Sequence, residues 1–177
     1  LHDALPIFYS LYKPLAERDN VKLGSLMRLY AKAYKGIGLL IGVLGLCLLP
    51  FLKMLVGDVA VDDSLLYTIF LMYVFNTAVS YFFVYKTSLI VADQKNYIVL
   101  IAQEGFHAVQ VAVQVAILLL TGNYVLFMAI TVACTIGTNA FLAHKADKMY
   151  PFLLEKTVKP LSVEERNEIV ANVKSLV

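Results

Sequence analysis

Residues 105–143, GFHAVQVAVQVAILLLTGNYVLFMAITVACTIGTNAFLA, run without one Lys, Arg, Asp or Glu. A soluble amphipathic helix places a charge on its outer face in nearly every turn, so water is the wrong solvent for this stretch. A bilayer core of about 30 Å is crossed by roughly 20 apolar helical residues. The run is too long for one crossing. Thr121-Gly122-Asn123 has turn composition and splits it into spans at about Tyr97–Leu120 and Tyr124–Ala143.

Two more uncharged runs lie upstream, giving spans at Ser64–Tyr85 and about Gly36–Leu55. The chain of 177 residues is 60% hydrophobic and 16% charged, against roughly a quarter charged in soluble domains. The predicted fold is therefore all-α, a polytopic membrane helix bundle with four transmembrane helices. Cys47 and Cys134 fall inside spans and give neither a disulfide framework nor metal-ligand spacing. Tyr34, Tyr67, Tyr85, Tyr97, Tyr124 and Tyr150 stand near span ends, where amphipathic rings favour the interface. In the first span Gly38, Gly42 and Gly45, with Ala31 below, share one helical face. Small residues in that pattern let another helix approach closely. Pro50 sits near the far end of that span, where one missing backbone bond is least harmful.

Basic residues set the expected orientation. All but Lys53 of the 15 Lys and Arg fall before the first span, between the second and third, or after the fourth. Lys53 is accompanied on its side by Asp58, Asp62 and Asp63. The positive-inside rule predicts both ends of the chain in the cytoplasm, with residues 8–35 and 144–177 as cytoplasmic segments. Ser162 and Glu165 form a capping box opening an amphipathic helix over 163–177. Leu1 to Ile7 fit nothing that follows and resemble a translated adapter sequence, so the expectation is a non-native leader on a partial gene product.

The third span carries the densest polar pattern. Gln103, His107, Gln110 and Gln114 follow spacings of four, three and four and line one narrow face, with Glu104 at its edge. A central acid costs about 2.5–3.5 kcal/mol on insertion scales, so this face is expected to meet other helices or a water-filled cavity. Two readings stay open: amides that tie helices together, or a lining for a substrate pathway. Asn76, with Ser80 one turn on and Thr77 beside it, is a second pathway candidate. Thr131, Thr135, Thr138 and Asn139 make a weaker strip whose hydroxyls can bond their own helix. Glu104-x-x-His107 is half of a di-metal carboxylate motif, and without a second copy it predicts no metal. There is no Gly-rich phosphate loop, paired interfacial carboxylates or His/Cys cluster, so neither an enzyme nor a cofactor is expected, and no nucleic-acid motif appears.

Four strings carry a resemblance: Leu11-Tyr12-Lys13-Pro14-Leu15-Ala16-Glu17, Ser80-Tyr81-Phe82-Phe83-Val84-Tyr85-Lys86, Ala92-Asp93-Gln94-Lys95, and Lys145-Ala146-Asp147-Lys148-Met149-Tyr150-Pro151-Phe152. In this order they resemble the polysaccharide-transporter (repeat-unit flippase) family of the multidrug/oligosaccharidyl-lipid/polysaccharide exporter superfamily. The resemblance implies part of the first lobe of a two-lobed transporter, helices three to six. It implies flipping of undecaprenyl-diphosphate-linked oligosaccharide across the plasma membrane by alternating access. The expected partners are the bilayer, the lipid-linked oligosaccharide and the remaining helices. Family members often place cationic residues in the cavity. Here no Lys or Arg lies deep in a span, so Arg28, Lys32 and Lys35 near the cytoplasmic mouth become the candidate phosphate contacts. The alternatives are a cation-coupled multidrug exporter of the same superfamily using Glu104, a self-contained four-helix membrane adaptor or channel subunit, and a membrane-embedded transferase.

Overall fold

The computed structural model describes residues 5–57 and 62–154. Among them every regular element is helical: α1 (Leu5–Ala16), α2 (Asn20–Leu48), α3 (Leu52–Val56), α4 (Asp63–Ala92), α5 (Asn96–Thr121) and α6 (Tyr124–Met149). Single 3-10 turns span Leu49–Phe51 and Pro151–Leu154. The amphipathic helix expected over 163–177 lies outside the described residues. So does most of the stretch read as a leader, although α1 takes in its last three residues.

The α2–α3 rod (Asn20–Val56), α4, α5 and α6 are long and apolar enough to cross a membrane. This is an all-α membrane helix bundle. At about 1.5 Å per residue, the 29 residues of α2 and the 30 of α4 reach about 40–45 Å, beyond a core of about 30 Å. The excess is at the basic end. Here α2 begins at Asn20, well before Gly36, and runs through the second half of the segment 8–35 expected to be cytoplasmic. The reason is local: Leu23, Leu26, Met27 and Tyr30 are buried at the i, i+3, i+4, i+7 spacing of one helical face. Asp19 caps the helix by accepting the Lys22 backbone N–H at 2.9 Å. Pro50 explains the break between α2 and α3. A proline ring clashes with the carbonyl four residues back, and the chain tightens into a 3-10 turn before resuming.

The helices alternate in direction. α4 is central, with α2 on one side and α6 on the other, while α5 packs chiefly on α6 and α1 lies against α2 and α4. The α2–α4 seam runs along the glycine face. A Cβ on Gly38 would stand 2.8 Å from the Ala78 carbonyl oxygen, and one on Gly45 would stand 2.5 Å from a Val74 methyl. Both α1 and α4 end in a residue with left-handed backbone, Arg18 (φ 54) and Gln94 (φ 57). In each case the next N–H reaches back to a helix carbonyl, Asp19 to Pro14 at 3.0 Å and Lys95 to Ile90 at 3.1 Å. These are Schellman closures, and they reverse the chain within three residues.

The buried core is not in the middle of the bundle. Leu11, Leu23, Leu26, Met27, Leu89, Ile90, Val99, Leu142, Ala146 and Tyr150 form one cluster at the basic end. In the apolar windows of the four spans at most 11% of residues are buried inside the protein. Leu39, Leu40 and Leu44 are uncovered by the chain itself, which suits a mid-section that faces lipid or further helices.

Candidate functional site

Two polar arrangements lie on this frame, one along α5 and one at the basic end. On α5, Val99, Phe106 and Gln114 mark the side turned to the rest of the bundle. Val99 and Gln114 are buried, and the Phe106 ring lies 5.9 Å from that of Phe141 on α6. At about 100° per residue, Gln103 falls between Val99 and Gln114 around the helix, so the stripe is divided along its length: it is covered at Gln114 and open at Gln103. Gln114 donates to the Phe127 carbonyl at 3.0 Å and to the Thr131 hydroxyl at 2.7 Å, both on α6. Gln110 is half-buried and reaches Gln114 at 3.4 Å. Gln103, Glu104 and His107 are not covered by the described helices.

Gln114 is thus an interhelical tie, the first of the two readings that the sequence left open for this stripe. Glu104 and His107 approach to 4.0 Å (Oε2 to Nδ1), too long for a hydrogen bond. They remain exposed, with 78% and 65% of their side-chain surface open. In a helix apolar enough to span, that is an acid and an imidazole facing outward from the four-helix packing. Among the described residues no group of three or more His, Cys, Asp or Glu converges to hold a metal.

Asn76 sits half-buried on α4. Its Oδ1 is shut off from solvent and has no hydrogen-bond partner, a condition that costs about 1–3 kcal/mol in a protein interior. Its backbone carbonyl accepts from Ser80 at 2.8 Å. Thr131 and Thr138 likewise bond carbonyls of their own helix, which accounts for much of the α6 strip. Arg28, Lys32 and Lys35 follow spacings of four and three on α2, all exposed.

The second arrangement was not read from the sequence. Lys86 on α4 donates to both carboxylate oxygens of Asp147 on α6, at 2.7 and 2.6 Å, with both side chains about four-fifths covered. Beyond it, Asp93 in the α4–α5 turn accepts from Lys95 and from the Tyr150 hydroxyl, each at 2.6 Å. The Lys95 ammonium also lies 5.8 Å from the centre of the Tyr150 ring, within cation–π range. Partial burial pushes the Asp93 carboxyl up. The bonds from Lys95 and Tyr150 outweigh this and hold it below the usual carboxylate range. Burial, then the bond to Asp93, raises the Tyr150 phenol well above its ordinary value. These contacts clamp the α4–α5 turn to the end of α6. Three of the strings that carried the resemblance, those ending at Lys86 and Lys95 and the one starting at Lys145, supply every residue of the clamp.

No protein-family model, curated protein or solved structure matches this chain.

Proposed function

We propose that the chain is part of a flippase moving undecaprenyl-diphosphate-linked oligosaccharide from the inner to the outer leaflet of the plasma membrane, with both ends of the chain in the cytoplasm. The observation that carries this is the open polar ridge of Gln103, Glu104 and His107 on α5. Amides, an acid and an imidazole in a spanning helix are costly against lipid, and the four described helices leave them uncovered. The ridge borders a hydrated path completed by further helices. There Gln103, Glu104, His107 and Gln110 meet sugar hydroxyls by donating and accepting hydrogen bonds, while Asn76 on α4, with its Oδ1 closed off, stays outside the path. Arg28, Lys32 and Lys35 meet the diphosphate at the cytoplasmic mouth. The protein transports and catalyses no covalent step.

The resemblance of the four strings supports the same reading, and the convergence of three of them in one clamp gives them a shared structural role. The 4.0 Å approach of Glu104 to His107 favours a second reading, a cation-coupled exporter with Glu104 as the coupling carboxylate. The test replaces Gln103, Glu104, His107 and Gln110 together by Leu in the full-length parent and measures surface polymer. The flippase reading expects export to be lost; unchanged export contradicts it. Glu104→Gln with a drug-efflux assay separates the exporter reading.

A further inference from the structure

A cleft of about 120 Å³ opens at the basic end between α2 and α4, under the 3-10 turn Pro151–Leu154. Gly24 and Ala31 line its α2 side, Tyr85 its α4 side, and Phe152 contributes from the turn. Two cations from different helices, Arg28 and Lys86, also line it. We infer that this cleft is a binding site for a phosphate group, that of an anionic membrane lipid whose headgroup enters from the surrounding bilayer.

Four features carry the inference. The first is shape: Gly24 and Ala31 are two helical turns apart on one face of α2, and their small side chains leave room that a leucine would fill. The second is charge: Arg28 presents a planar fork of donors that matches phosphate oxygens. Lys86 is held in place by Asp147, and an ammonium has three N–H donors, so one remains for a third acceptor after both carboxylate oxygens are met. The third is depth: Tyr85 and Lys86 stand where the uncharged run of α4 ends, at headgroup level, with the apolar mid-section above and the buried core below. The fourth is the apolar side of the cleft, Tyr85 and Phe152, which suits the glycerol and first methylenes of a lipid rather than a bare ion. Basic pockets between spanning helices are a general mode of anionic-headgroup recognition. The inference shares Arg28 with the flippase reading, which gives that residue to the substrate diphosphate. The two are told apart because a lipid bound here ties α2 to α4 and is read by thermal stability, while the substrate contact is read by export.

The test is thermal unfolding of the purified full-length parent in mild detergent supplemented with phosphatidylglycerol, phosphatidylcholine or inorganic phosphate. Phosphatidylglycerol is expected to raise Tm above the phosphatidylcholine value. Arg28→Gln is expected to lose most of that rise, and so is Ala31→Leu, which keeps every charge and fills the cleft. Lys145→Gln, which removes a charge from an exposed position at the same end, is expected to keep it. If Arg28→Gln fails to fold, Ala31→Leu decides. A rise reproduced by inorganic phosphate, with the same dependence on the variants, keeps the phosphate site and overturns the lipid as its source. No rise with either, or a rise unchanged in Ala31→Leu, overturns the site.

Discussion

Lys86 and Asp147, 61 residues apart in the chain, meet through both carboxylate oxygens at 2.6–2.7 Å where α4 and α6 leave the apolar zone. The pair is neither buried nor free in water, at 19% and 22% side-chain exposure. Removing one partner therefore leaves a poorly hydrated charge. Asp147→Asn and Lys86→Met are each expected to destabilise the bundle by about 1–3 kcal/mol, between the values for exposed and buried pairs. The exchanged pair Lys86→Asp with Asp147→Lys should recover part of the loss. Thermal unfolding in detergent reads both.

The two ends of the α5 stripe should respond unequally. Gln114→Leu removes the tie to Phe127 and Thr131 and should weaken α5–α6 association by about 0.6–1.7 kcal/mol, the range for interhelical bonds in membranes. Gln103→Leu breaks no bond within the described helices and should leave bundle stability unchanged. Unfolding of the two variants side by side checks this.

Glycine replacements along α2 should rank by the room each Cβ finds. Gly42→Ala meets only Ala78 Cβ at 3.9 Å and should be neutral. Gly38→Ala meets a backbone oxygen at 2.8 Å and should cost about 1–3 kcal/mol as overpacking. Gly45→Ala meets only the Val74 side chain, so adding Val74→Ala should rescue it. No second substitution on α4 should rescue Gly38→Ala so well.

The Asp93 clamp gives stability a pH window. Asp93 is held below its ordinary value, so its contribution is present above the unfolded carboxylate pKa of about 3.9 and is lost as pH falls below it. Tyr150 is raised, so its contribution is present below about pH 10 and is lost as pH rises beyond. Tyr150→Phe should flatten the alkaline limb of a stability–pH curve. Asp93→Asn should flatten both limbs.

The fold was legible because solvent is written into the charge pattern: three uncharged runs, a Thr121-Gly122-Asn123 turn that splits the longest in two, and glycines on one face of α2. In the structure Gly122 takes the left-handed closing position (φ 61) and Asn123 caps α6 by accepting from Val125 and Leu126. Less was legible at the basic end. Charges at Lys22, Arg28 and Lys32 mark where the membrane stops, and they say nothing of where the helix stops. The apolar spacing of Leu23, Leu26, Met27 and Tyr30 would have revealed α2 continuing into water. The division of the Gln103–Gln114 stripe was hidden, because it depends on how far along α5 the neighbouring helix covers that side. The Lys86–Asp147 and Asp93–Tyr150 contacts join residues far apart in the chain, and no local pattern announces them.

The central claim is that α5 turns a polar ridge to water inside the membrane zone. Its most direct test is labelling of single cysteines by a membrane-impermeant thiosulfonate, in the full-length parent in intact membranes with Cys47 and Cys134 replaced. Gln103→Cys and His107→Cys are expected to react, while Ile101→Cys, on another side of the same helix, stays protected. Protection at all three positions would put the ridge in lipid or dry protein and contradict the account.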